Sequence, residues 1–357
     1  MRVQDILNTK ALAITHNEVA SNKVPYLGVG FFPNTKKMGI DLKQIRTAKG
    51  LPVTLNPSAY DTVSTIRSRK GFKVDETQMA FFKESMLVKE QDKIDLMRVA
   101  EATDPYAIEV YKNIYNDFET LYESADVVAE RMRMQLLSSE NGHPSISLAG
   151  DGATYEYNYD PNNEYSASNF EALSGSSVWT DHTNANPIAD LKRWKKAVSA
   201  KSGAEVKYAL MNGATFDNMV QCDSFKNYVL AQSSTLTVVV DDEVAYDIVQ
   251  KKVGLTIVVY DKMFTNESAQ DVTFYPEGFV ALLPEGALGK TYYGTTPDEV
   301  EMINGGSIDT MVVDNKVTVT VTHTTDPAQD KTTVSEVLLP SFERIFETYT
   351  AKVYSLA

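Results

Sequence analysis

Apolar residues recur at Ala107, Val110, Ile114, Phe118, Leu121, Ala125, Val128, Met132 and Leu136, in steps of three or four. That spacing predicts one face of a single helix. Thr103-Asp104-Pro105 places a capping side chain and a proline at its start. The helix is expected from 105 to about 138, on the order of 50 Å long, with a left-handed stop near Asn141 and Gly142. The stripe approximates a heptad, so a coiled coil is the plain alternative. Bordered by β segments, it reads better as a spine.

The pattern elsewhere is mixed. Residues 1–32 hold a thin apolar series (Ile6, Leu12, Ile14, Val19) and the loop-like PYLGVGFFPN, and read as an arm. Residues 36–73 contain Gly39, Gly50, Pro52, Pro57 and Gly71 between short alternating runs, LPVTL (51–55) and TVSTI (62–66). This predicts an extended β-hairpin or long loop without a core of its own. An exposed pair of strands needs a partner to cover it. Residues 73–92 mix short extended pieces with many carboxylates. Strands are predicted at 145–148 and 153–159 around Gly150-Asp151-Gly152. After a polar loop to about Ser177, Asn186-Pro187 opens a helix with Ile188, Leu191, Trp194 and Val198 on one face. A strand at 207–211, one helix over 215–231, the stretch 242–252 leading into a strand at 255–260, and a buried strand at 279–283 complete an α+β subdomain. Strands at 310–313 and 317–323 flank the hairpin signal Asp314-Asn315, and a final β run covers 345–354. No repeat or low-complexity segment interrupts the chain.

Charge divides the chain sharply. Residues 36–73 carry nine cations against two anions, net +7, inside a protein of net −14, so the remainder carries −21. Electrostatic complementarity of this kind selects partner and orientation, and it favours pairing the basic segment of one copy with the acidic body of another. The acidity argues against gripping nucleic acid by phosphate neutralisation. At 357 residues, two or more subdomains are expected. The single Cys222 cannot form an internal disulfide, as suits a reducing cytoplasm. The N-terminus lacks a signal-peptide pattern and no window reaches a membrane span of about 18 apolar residues; the chain reads as soluble and unexported, with no membrane partner.

Chemical motifs are few. GALGKT (286–291) lacks the first glycine of a phosphate loop, because Pro284 stands five positions before Gly289, and the following TYYGTTPDE is a poor helix. A turn between strands is expected there. Gly28 and Gly30 complete no dinucleotide fingerprint. His16, His143, His182 and His323 lack metal-ligand spacing. Asp241, Asp242 and Glu243 read as favouring the positive end of the helix that follows rather than as cation ligands. No catalytic, cofactor or metal site is assigned. In the basic segment, Tyr60 and Phe72 are too few for a base-stacking platform.

The block TIRSRKGFKVDETQMAFFKESMLVKEQD (65–92), leading into the long helix, resembles the corresponding block of the lambda-like major capsid protein E family of tailed phages, and LPSFERIFETYTAKVY (339–354) does likewise. The resemblance runs over nearly the whole chain and implies an α+β, Hong Kong 97-type capsid fold. It divides the chain into an N-terminal arm (1–32), an extended basic loop (33–73) and a peripheral domain (74–177) with its spine helix at 105–138. An axial domain (178–304) and a C-terminal β return (305–357) follow. It implies a non-enzymatic head protein that assembles, first in the host cytoplasm and then in the virion, into an icosahedral shell around double-stranded phage or prophage DNA. The partners implied are further copies in pentamers and hexamers, a separate scaffolding protein, a portal, and DNA held without sequence specificity; a decoration protein is left open. Candidate inter-subunit contacts are Lys36, Lys37, Arg46, Lys49, Arg67, Arg69, Lys70 and Lys73 against Asp75, Glu76, Glu84, Glu90 and Asp92, or against the acidic axial domain. An encapsulin-like compartment and a two-domain cytoplasmic enzyme are the alternatives.

Overall fold

The computed structural model describes residues 9, 26–46, 73–91, 93–94, 105–150, 153–230, 241–306 and 308–355, leaving aside the side chains of 43–46, 73–76, 105–117 and 230. In chain order its elements begin with α1 (Gly28–Phe31), β1 (Asn34–Lys36), β2 (Asp41–Arg46), β3 (Lys73–Gln78), β4 (Ala80–Val88), α2 (Pro105–Ser138), β5 (Ser145–Gly150), β6 (Ala153–Asn158) and β7 (Phe170–Ala172). There follow α3 (Pro187–Ser202), β8 (Val206–Met211), α4 (Gly213–Gln221), α5 (Asp223–Leu230), α6 (Asp242–Lys252), β9 (Thr256–Val259), β10 (Met263–Thr265) and β11 (Asp271–Thr273). The last are β12 (Phe279–Pro284), β13 (Thr291–Tyr293), α7 (Pro297–Ile303), β14 (Asp309–Val313), β15 (Val317–His323), β16 (Asp330–Pro340) and β17 (Tyr349–Lys352). They form two units: Met1–Lys43 with Glu76–Arg131 and Lys290–Ser341, and Gln44–Asp75 with Met132–Gly289 and Phe342–Ala357.

The first unit is built around β16. One edge of this strand pairs antiparallel with β4, from Asp330 opposite Val88 to Leu338 opposite Ala80. The other edge pairs first with β15 and then with β13. β1 continues the sheet parallel to β13, and β14 closes the far side against β15. Every residue of β16 except Lys331 is buried, so the alternation that marks a half-exposed strand is absent. The sequence pattern assigns no strand there, and the central strand of the sheet is a finding of the structure.

The long helix α2 occupies the expected range. Phe118, Leu121, Tyr122 and Ala125 pack onto Val313, Val317, Val319, Val321 and Val334, each large side chain contributing about 1.5–3 kcal/mol on burial. The β14–β15 turn is pinned to the same helix face: Tyr122 donates to Asp314 at 2.7 Å, and Lys316 pairs with Asp126 at 2.8 Å. Asp314 and Asn315 both have φ above 50°, the mirror-image turn that matches strand twist. The helix stops at Ser138 because Ser139 takes the left-handed conformation, φ 49°, with Gly142 following at 83°; the left-handed residue comes two positions earlier than the sequence suggests.

The second unit holds the sheet β7-β17-β12-β8-β9. All six residues of β12 are buried. Asn186 caps α3 through the Ala189 amide, with Pro187 in the first turn. Trp179, Trp194 and Tyr349 stack at about 6 Å spacing within the core. The Trp179 indole donates to Asp190, and the Trp194 indole to Glu171. Arg193 bridges both carboxylates at 2.9 Å.

Four local expectations are corrected. The single helix over 215–231 is two helices, because Cys222 is extended (ψ 136°) and the Asp223 amide bonds to the His182 carbonyl at 2.7 Å. Within PYLGVGFFPN a helical turn forms at α1, its Gly28 amide received by the buried Glu130 carboxylate at 2.9 Å. The run 345–354 begins as a 3-10 turn, Ile345–Glu347, before becoming β17. After TYYG, Thr296 caps a true helix, α7, with Pro297 in its first turn.

Burial is the main force pushing the Asp190 carboxyl above its ordinary value, against the Trp179 and Arg193 contacts that lower it. The folded chain therefore holds this proton more tightly than the unfolded chain, whose carboxyl titrates at about 3.9. The stabilisation is full below that pH and is lost as pH rises through the folded value. Chemical denaturation should show the parent's advantage over Asp190→Asn shrinking as pH rises above about 4; an advantage that grows with rising pH would contradict the assignment.

Candidate assembly surface

The described residues that flank 47–72 form the root of the basic segment, and β2 pairs with β3 there. Below that pair, the Met79 amide bonds to the Ile40 carbonyl at 2.8 Å. Gly39, at φ 87°, donates to the Thr295 hydroxyl, and its carbonyl receives the Thr295 amide. The Lys37 amide donates to the Tyr293 carbonyl, and Lys36 Nζ reaches the Gly294 carbonyl at 3.0 Å and Glu299 at 2.7 Å. Gly294 allows this closeness, since a Cβ there would lie 2.7 Å from the Gly39 carbonyl oxygen and 2.8 Å from both Met79 Cε and Val337 Cγ1. The arm is tied to the same unit at one described position: the Thr9 amide and hydroxyl donate to Asp309 at 3.0 and 2.7 Å.

The sequence-derived candidates distribute unevenly around this root. Lys36 is paired within the chain, as above. Lys37 is half-buried, its Nζ reaching the Asp41 carbonyl at 2.7 Å. Glu84 lies exposed on β4 opposite Val334, and Glu90 receives the Ala328 amide at 2.8 Å. Arg46 belongs to β2, and Lys73, Asp75 and Glu76 to β3; only their backbones are described. Lys49, Arg67, Arg69, Lys70 and Asp92 lie outside the described residues.

Apolar exposure at the root escapes the sequence reading. Met38 is 81% exposed beside Ile40, and α7 presents Val300 and Ile303, the latter 60% exposed. The i, i+3 spacing of Val300 and Ile303 is the available signal. Asp298, on the same short helix, is held by Lys83 at 3.0 Å and by the Ser335 hydroxyl at 3.0 Å. Elsewhere in this unit the buried Asp330 receives both Lys93 and His323 at 2.7 Å.

Several of the remaining chemical candidates have structural partners. In the GALGKT turn, the carbonyls of Glu285 and Ala287 face the Arg344 guanidinium at 3.0 Å, whereas a phosphate cradle needs inward-facing amides. Asp241 caps α6, receiving the Asp242 amide at 2.8 Å. Among the described residues no group of three His, Cys, Asp or Glu is placed to hold a metal ion. Burial pushes the Cys222 thiol up to about 12, so at neutral pH it is not a thiolate nucleophile. No described helix is long and apolar enough to cross a membrane.

The family model for phage major capsid protein E matches residues 8–353. The fold is similar to that of a putative prophage capsid protein from Escherichia coli CFT073, at TM-score 0.57 and 15% identity over 98% of this chain and 99% of the other. A phage-related protein from Bordetella bronchiseptica RB50 is similar at TM-score 0.56 and 15% identity, over 97% of each chain. The capsid of cyanophage A-1(L) is similar at TM-score 0.52 and 13% identity, over 92% of each. No curated protein matches the chain.

Gly294→Ala is expected to cost about 1–3 kcal/mol through overpacking at the root. Gly30→Ala, where an added Cβ meets nothing within 4 Å, is the control and should stay within about 0.5 kcal/mol of the parent. Equal effects in denaturant titrations would mean that the close approach at Gly294 does not matter.

Proposed function

The chain belongs to the phage major capsid protein E family, and from that premise we propose how its parts act in the shell. It is a structural subunit with the Hong Kong 97-type capsid fold, many copies of which associate into the phage capsid. Its work is mechanical and electrostatic rather than enzymatic. The proposed division is an arm (1–32), a basic loop (33–73), a peripheral domain (74–177) carrying α2 as spine, an axial domain (178–304) around five-fold and six-fold positions, and a β return (305–357). The loop reaches over a neighbouring copy and meets acidic surface there.

The observation that carries this reading is the root. Residues 36–73 carry net +7, β2 and β3 on either side of 47–72 pair with each other, and the chain beneath that pair is bonded to Thr295, Tyr293 and Met79 and packed against Gly294. A stiff base gives a long loop a direction. Each exposed ion pair is worth about 0–1 kcal/mol, so a shell rests on many weak contacts, and wrong ones dissociate before they accumulate. An acidic wall facing the packaged DNA would let it slide instead of adhering. Assembly in the host cytoplasm would draw on a separate scaffolding protein and a portal, the partners that the family resemblance implies.

Arg67→Glu, Arg69→Glu and Lys70→Glu combined should leave the subunit folded, by circular dichroism and melting temperature, while abolishing shells in electron micrographs. Shell yield from the parent should also fall between about 0.1 and 1 M salt, as the screening length drops from about 10 to 3 Å. Normal shells from the triple variant would remove the electrostatic mechanism while leaving the capsid role intact.

A further inference from the structure

Among the described residues, the β5–β6 hairpin has one edge occupied and one edge open. On the β5 side the Ser147 amide donates to Gln135 Oε1 and the Gln135 amide nitrogen donates to the Ser147 carbonyl, both at 3.1 Å. A side chain of α2 thus supplies the donor and acceptor that a neighbouring strand would supply. On the β6 side the register is Ser147 opposite Glu156, with Tyr159 bonded to the Pro144 carbonyl. Antiparallel ladders alternate bonded and non-bonded pairs. The main-chain N–H and C=O groups of Thr154, Glu156 and Asn158 therefore point away from β5. Among the described residues these outward groups have no partner.

The two faces of the hairpin differ as well. Ile146 and Leu148 are buried on one face, opposite Tyr157 and Tyr155, whose rings stack 6.3 Å apart at 4°. Thr154, Glu156 and Asn158 are exposed on the other. The free edge is an unprotected template for strand pairing, bearing a carboxylate at its middle.

We propose that the open edge of β6 is a strand-addition site for residues 62–70, TVSTIRSRK, of a second copy; this deepens the shell reading above and rests on it. Main-chain hydrogen bonds give affinity in strand addition and alternate side chains give selectivity. The run 62–70 has no proline or glycine, and it places Val63, Thr65, Arg67 and Arg69 on one face. Laid along β6 with Thr65 opposite Glu156, that face sets Arg67 diagonally beside the carboxylate, an opposite-charge cross-strand arrangement within reach of a long side chain. Two β6 strands paired with each other about Glu156 would put like charges face to face, which disfavours that occupant.

Glu156→Pro removes the outward amide without removing a ladder bond, because proline is tolerated where an edge-strand N–H faces solvent. The folded variant is expected to give at least tenfold fewer shells by light scattering and electron microscopy, with Glu156→Lys reduced likewise. Independently of how those variants fold, Glu156→Cys chains mixed with Thr65→Cys chains before assembly should form disulfide-linked dimers on mild oxidation. The buried Cys222 is no competitor. Ordinary shell yield from Glu156→Pro, or parent-like shells in which the 65–156 link is absent or forms only within one chain, would overturn the strand addition alone. A parent chain that forms no shells would overturn the reading beneath it.

Discussion

The two-sided pairing of β16 is the constraint on which the first unit depends. Its backbone is hydrogen-bonded to β4 on one edge and to β15 and β13 on the other, so three stretches far apart in sequence are held at once. Each buried amide or carbonyl left unpaired would cost about 1–3 kcal/mol; the strand is therefore committed along its whole length. β13 then fixes β1, and the turn beyond β1 packs over Gly294. The position of the root is thus inherited from a strand almost 300 residues later in the chain.

A shell subunit must be rigid where it positions contacts and weak where it makes them. The chain meets the first demand with paired polar groups anchored on buried carboxylates and rings: Asp330 with Lys93 and His323, Tyr122 with Asp314, and Arg193 across Glu171 and Asp190. Such pairs fix geometry because removing one partner strands the other in a buried site. On the proposed reading, the surface would meet the second demand with separated charges of both signs, each worth little by itself. Assembly strength then comes from repetition over the lattice, and reversibility from the weakness of each contact.

Much of this was legible in the sequence. The limits of α2, the cap at Asn186, the β5–β6 and β14–β15 hairpins and the buried strand β12 follow from local periodicity and turn chemistry. The family resemblance at 65–92 and 339–354 agreed with the family found over residues 8–353. What escaped was long-range. β16 is buried on both faces and interrupted by Thr332, Thr333, Ser335 and Glu336, so it has neither alternation nor an unbroken apolar run. The break at Cys222 depends on the His182 carbonyl forty residues away, and the root depends on a close approach at Gly294 that no local pattern records. The candidate cations were visible as a charge excess, but whether a given lysine is free or already paired, as Lys36 is with Glu299, depends on tertiary neighbours.

The central claim is that the basic segment joins one copy to the next in a closed shell. Electron cryo-microscopy of shells grown from the purified protein, with density traced through residues 47–72, tests it most directly. The account predicts closed icosahedral particles in which this segment lies on the acidic surface of an adjacent subunit. Particles in which it contacts only its own chain, or a protein that stays monomeric at every concentration and with its scaffold present, would contradict it.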